Sequence, residues 1–137
     1  MPIGLDTNLI VYAITFQDEE KQRIAEEILR EALEEPQKYA ASVQVLAETV
    51  SVISRKAPAL LPEALRLVKL ISKILSILYY TPTEIEQASN GPPREFWDRL
   101  LAYTYKNNGV EEIITEDEKP YEGLINTVNP FRAAPGL

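Results

Sequence analysis

Four acidic residues, Asp6, Glu48, Asp98 and Asp117, lie in surroundings that do not suit an ordinary solvated charge. Asp6 interrupts the segment IGLDTNLIVYAI, after the apolar Ile3, Gly4 and Leu5 and before Leu9, Ile10, Tyr12 and Ala13. Glu48 lies among Val45, Leu46, Ala47, Val50 and Val52, and Asp98 follows Phe96 and Trp97. Asp117 follows the run EIIT much as Asp6 follows IGL. The chain has no histidine and no cysteine, which removes the Ser-His-Asp triad, Cys-His pairs, thiolate chemistry and His- or Cys-ligated zinc. Any chemistry falls to carboxylates or to a cation they hold. Carboxylates gathered in one crevice repel each other and raise each other's pKa unless a cation intervenes. Their hard oxygens suit Mg²⁺ or Mn²⁺, which keep some of their water and bind substrate phosphates.

Taken singly, each acid also has a plainer reading. Asp6, with Thr7 and Asn8, is a good cap for the helix that follows it. Glu48 can reach solvent or pair with Arg55 or Arg99. Asp98 suits the positive N-terminal end of a helix, and Asp117, inside TEDE, fits a solvated loop. The plain readings need four independent coincidences, whereas a shared site needs one explanation.

The elements that position these residues follow from apolar periodicity. A short strand over residues 3–5 leads into a helix carrying Leu9, Ile10, Tyr12 and Ala13. A second helix, with Asp18 as its cap, carries Ile24, Ile28, Leu29 and Leu33 and stops at Pro36. KYAASV reads as a strand. Ser42 then opens a helix with Val43, Leu46, Val50 and Ile53 on one face and Val45 and Val52 on the other. Another helix starts near Pro62 and carries Leu65, Val68, Ile71 and Leu75. SILYYT is a strand closed by Pro82. After the turn-rich SNGPP, REFWDRLLAYTYKN forms a helix stopped by Gly109, and EEIIT and INTVNP are the last strands. Strands alternating with helices predict an α/β fold, a three-layer sandwich with a mostly parallel sheet of about five strands flanked by helices. In such a sheet ligands bind beyond the carboxyl ends of the strands, which is where Asp6 and Asp117 fall.

At 137 residues and 45% hydrophobic, with no linker-like stretch, the chain reads as one domain over 1–137, with 132–137 as a C-terminal tail. The net charge of −7 and pI near 4.7 weigh mildly against nucleic acid as a partner but leave room for a basic rim around a bound cation. Without a basic leader or an apolar run near the roughly 20 residues of a membrane span, a soluble cytoplasmic protein with no membrane partner is expected.

GLDTNLIVYA, SVQVLAETVSVISRK, FWDRLLAYTY followed by GVEEIITED, and VNPF occur in an order that resembles PIN-domain ribonucleases, particularly the VapC toxins of VapBC toxin-antitoxin systems. The resemblance spans residues 3 to 131. It implies a PIN-like fold and an endoribonuclease using one or two Mg²⁺ or Mn²⁺ ions. Asp6, Glu48, Asp98 and Asp117 would be the catalytic and metal-binding acids, with Thr7, Asn8 and Thr115 as polar residues beside them. It also implies an RNA substrate, a homodimer, and an antitoxin protein whose C-terminal peptide offers an Arg or Lys to the acids.

Arg55, Lys56, Arg94 and Arg99 are candidates for RNA phosphate contacts, and apolar surface on the helices of 18–33 and 62–75 is a candidate dimer face. Three features depart from the family pattern. Arg99, Tyr103 and Tyr105 follow the third acid, Glu116 stands beside Asp117 as an alternative fourth acid, and KPYEG replaces the usual acid-plus-aromatic continuation. Other readings are a stand-alone PIN-domain RNA-processing nuclease and a non-catalytic PIN-like binding scaffold. A haloacid-dehalogenase-like phosphatase is disfavoured because Asn8 stands where it needs a second Asp. A receiver domain is disfavoured by the order of its acids.

Overall fold

The computed structural model describes residues 1–132, so most of the expected tail lies outside the described residues. Five short strands, β1 (Ile3–Leu5), β2 (Tyr39–Ser42), β3 (Ser76–Leu78), β4 (Glu112–Ile114) and β5 (Asn126–Val128), form one sheet in the order β3-β2-β1-β4-β5. Every pairing is parallel, including Gly4 with Ala40 and with Ile113. The chain winds outward from β1 to β3, then jumps back across β1 to β4. Right-handed crossovers in the two directions put their helices on opposite faces, and the reversal opens a crevice at the carboxyl ends of β1 and β4.

Among the described residues, six α-helices connect the strands: α1 (Thr7–Ile14), α2 (Glu19–Glu34), α3 (Val43–Lys56), α4 (Leu61–Ile74), α5 (Pro82–Ala88) and α6 (Phe96–Asn107). On one side α1 packs on α2 and α3, and α3 on α4; α5 packs on α6. Side-chain caps fix where several begin. The Asp18 carboxylate accepts from the Lys21 amide at 3.0 Å and the Ser42 hydroxyl from the Gln44 amide at 3.1 Å. At the end of α6 the amides of Gly109 and Val110 reach back to the carbonyls of Lys106 and Tyr105, a turn that needs the positive φ of +82° at Gly109.

Two expectations need correction. Pro82 does close the β3 segment, but it also opens α5. Thr81 caps that helix reciprocally with Glu84, and the proline fills a first-turn position where no amide donor is needed. On α4 the buried edge runs through Ala64 and Ile71, while Leu65 faces outward.

The core, with Leu5, Leu9, Ile10, Val45, Ile53, Ile71, Leu101 and Ile113 among its members, runs beneath the strand ends. Tyr105 of α6 reaches into it. Its hydroxyl donates to the Leu5 carbonyl at 2.5 Å and accepts from the Ser42 amide at 3.1 Å. Its ring lies so close to β1 that a Cβ on Gly4 would come within 2.7 Å of it.

Candidate active site

Asp6 ends β1 and caps α1, so its carboxylate is fixed from both sides. One oxygen, Oδ1, accepts from the Thr7 amide at 2.7 Å. The other, Oδ2, accepts from Thr115 Oγ1 at 2.8 Å and Tyr121 Oη at 3.0 Å. The capping reading of this residue holds, and the capping side chain also lines the crevice. Thr7 serves a second acid as well, donating from Oγ1 to Glu48 Oε1 at 2.9 Å.

Thr115, directly after β4, organises the facing loop. Its hydroxyl accepts from Asn8 Nδ2 at 3.2 Å and from the Asp117 amide at 3.1 Å. Asn8 also accepts the Glu116 amide at 3.3 Å, so its side chain ties the start of α1 to this turn. A cavity of about 540 Å³ opens over these groups. Asp6 from the end of β1, Glu48 from α3, Asp98 from α6 and Asp117 from the loop after β4 all line it.

The crevice is electrostatically unbalanced. Burial raises the pKa of Asp6, outweighing the hydrogen bonds from Thr115, Thr7 and Tyr121, and Asp117 adds to the rise. Burial and then the charge of Asp6 raise Glu48, although Thr7 opposes them. Asp98 is pushed up to about 6 by burial and by the charges of Asp6, Asp117 and Glu48. Among the described residues, none of the four forms an ion pair. Glu116 is different. Burial alone would raise it, but its ion pair with Lys21 and the hydroxyl of Tyr12 at 2.6 Å outweigh that and lower its pKa. Its carboxylate is committed to α1 and α2, leaving Asp117 as the loop acid that lines the cavity.

Among the described residues, no three acidic side chains converge closely enough to surround one ion. The donor set is nonetheless all oxygen and carries excess negative charge. It fits a largely hydrated divalent cation held by one or two carboxylates, with the others acting through water.

Residues 3–122 match the sequence model of the PIN domain. The chain belongs to the PIN-domain family. No curated protein matches it in sequence. Solved structures share its fold at low identity. VapC20 of Mycobacterium tuberculosis, described as a Sarcin-Ricin loop cleaving toxin, superposes with a TM-score of 0.70 at 17% identity, covering 90% of this chain and 96% of that one. A toxin-antitoxin complex from Klebsiella pneumoniae gives 0.67 at 17% identity over 93% and 97% of the two chains. VapBC2 of Rickettsia felis, bound to a DNA fragment from its promoter, gives 0.61 at 20% identity over 94% and 98%.

The basic residues of this PIN domain divide. Arg55 and Lys56 line the cavity. Arg94 stands exposed in a short 3-10 turn, Pro93–Glu95, and is not part of the lining. Arg99 is buried with Nε donating to the Ala88 carbonyl at 2.8 Å, so its guanidinium braces α5 against α6 and does not face the crevice. Sequence reasoning missed Tyr121, which a 3-10 turn at Lys119–Tyr121 folds back beneath the carboxylates. The available signal was an aromatic residue placed directly after Pro120 in a polar loop.

Proposed function

We propose that this PIN domain is a metal-dependent endoribonuclease and the toxin member of a toxin-antitoxin pair acting in the cytoplasm. One observation carries the reading: acids from four separate segments line one cavity, and among the described residues none of them forms an ion pair. Such an arrangement opposes folding unless cation binding repays it.

When bound, one or two Mg²⁺ or Mn²⁺ ions supply Lewis acidity and lower the pKa of coordinated water from about 15.7 toward neutrality. The protein's own groups set the geometry. Asp6 lines the cavity with Oδ2 held by Thr115 and Tyr121 and Oδ1 held by the Thr7 amide. Glu48 is steadied by Thr7, and Asp98 and Asp117 complete the acidic wall. Arg55 and Lys56 orient the RNA phosphates at the rim.

The unpaired carboxylates also suit an antitoxin side chain, because a guanidinium or ammonium can replace the metal. Leu65, Leu70 and Ile74, turned outward on α4, support a homodimer. Asp6→Asn keeps the shape of the side chain and removes an anionic ligand. The purified variant should melt as a folded protein yet lose RNA cleavage at saturating Mg²⁺. Undiminished cleavage by the folded variant would overturn the proposal. Growth arrest on expression, relieved by an adjacent gene product, tests the toxin assignment.

A further inference from the structure

A second opening, about 270 Å³, lies beside the acidic cavity and shares Glu48 and Ser51 with it. The rest of its wall is Gln44, Ala47, Tyr80 and Trp97. Its size is close to the lower end, about 300 Å³, for pockets that take small organic ligands.

Trp97 is 55% exposed, which is unusual for so large an apolar ring standing next to a candidate catalytic acid. It is not loosely held. The ring packs edge-on against Phe96 with centroids 5.3 Å apart, and the Trp97 carbonyl accepts from Gln44 Nε2 at 2.9 Å. Gln44 itself is only 5% exposed, and its Oε1 has no hydrogen-bond partner. A buried acceptor of this kind is normally satisfied, and because Gln44 lines the opening a small turn of its amide would offer Oε1 to an incoming donor.

Gln44, Glu48, Ser51 and Arg55 are spaced four, three and four residues apart, which puts them on one stripe of α3. The stripe is about 16 Å long. It leads from the aromatic opening past the acids to the basic rim.

We propose that this opening is a nucleobase subsite. An unpaired base of the RNA stacks on Trp97 in the opening that Tyr80 also lines, and a base N–H satisfies Gln44 Oε1. The strand's backbone follows the stripe of α3 to the carboxylates. Only an unpaired base can enter such a subsite, because a base inside a duplex has both faces already stacked. The inference rests on the nuclease reading above and adds to it a recognition element on the Trp97 side. A second copy of the chain is a weaker occupant, since the opening is small, continuous with the acidic cavity and contains an unpaired acceptor.

Trp97 is the sole tryptophan, so its fluorescence reports on the subsite directly. The test titrates the full chain in Mg²⁺ with a 2′-O-methyl single strand, its abasic counterpart and the same strand in a duplex. Cleavage of an unmodified strand is followed in parallel. The single strand should quench Trp97 saturably and bind about tenfold or more tighter than either control. Trp97→Ala should weaken binding of the single strand by a similar factor, and Trp97→Phe should recover most of it. Equal quenching by the abasic strand, or cleavage by Trp97→Ala with an unchanged KM, would sink the subsite while leaving the nuclease reading in place. A Trp97 signal that follows protein concentration without RNA would assign the face to contact between copies. Absence of both RNA binding and cleavage in the wild-type chain would instead remove the nuclease reading, and the subsite with it.

Discussion

Tyr121 donates its phenolic hydroxyl to Asp6 Oδ2 at 3.0 Å, across 115 residues of sequence. Together with Thr115 this holds Oδ2, while Oδ1 accepts from the Thr7 amide, so the carboxylate is fixed in orientation. Tyr121→Phe preserves the buried ring and deletes only the hydroxyl. RNA cleavage should fall about tenfold or more and require more Mg²⁺, as is usual when a group orienting a metal ligand is lost. The lost donor also lowered the Asp6 pKa, so the acid limb of the pH-rate profile should move to higher pH. An unaltered metal requirement and profile would show that Tyr121 only fills space.

Asp98 makes folding pH-dependent in an uncommon direction. Its folded pKa of about 6 lies above the ordinary 3.8, so in this window the folded state binds more protons than the unfolded chain. Stability from this residue therefore falls as pH rises from about 4 through about 6. In metal-free buffer, Asp98→Asn should raise the melting temperature at pH 7 and change it little below pH 4. Added Mn²⁺ should narrow the difference by stabilising the wild type. Equal shifts at both pH values would contradict the burial and charge argument.

Glu116 and Asp117 are neighbours with separate tasks. Asp117→Asn should reduce cleavage with little effect on melting. Glu116→Gln removes an ion pair with Lys21 that is about a third exposed, and should lower stability by about 1 kcal/mol or less while cleavage persists. The reverse ranking would transfer the fourth acidic role to Glu116.

Arg55 and Arg99 should be equally distinguishable. Arg55→Ala is expected to raise KM and flatten the salt dependence of RNA binding, leaving the melting temperature near that of the wild type. Arg99→Met leaves the buried Ala88 carbonyl without its donor and should cost about 1–3 kcal/mol in denaturant unfolding, with no specific change in salt dependence.

The parts of this molecule written in local sequence were the parts that could be read. The strands stood out as apolar runs between turn residues, and Asp18, Ser42 and Gly109 announced helix ends by capping chemistry. Asp6, Glu48 and Asp98 were conspicuous because carboxylates rarely sit among apolar neighbours. Helix α5 is hidden in the sequence because Pro82 also fits a stop, although Thr81 and Glu84 carry the spacing of a reciprocal cap. Leu65 belongs to the apolar spacing of α4 yet faces outward, and Ala64, the true inner residue, gives little hydrophobic signal. The Tyr121–Asp6 and Lys21–Glu116 pairings join distant segments, and no local pattern encodes them.

The Tyr105 hydroxyl, lying between the Leu5 carbonyl and the Ser42 amide, makes a side chain of α6 part of the joint between β1 and β2. The residues just beyond that joint are Asp6 and the first turn of α3, and the helix that supplies it carries Asp98 near its other end. Undocking α6 would therefore displace Asp98 and loosen the two strand ends in one event. Amide exchange at Ser42 should accordingly follow the larger cooperative opening of the sheet and α6, although the strands themselves are only three and four residues long. The placing of Asp98 is thereby tied to the same hydrogen bonds that join the two strand ends.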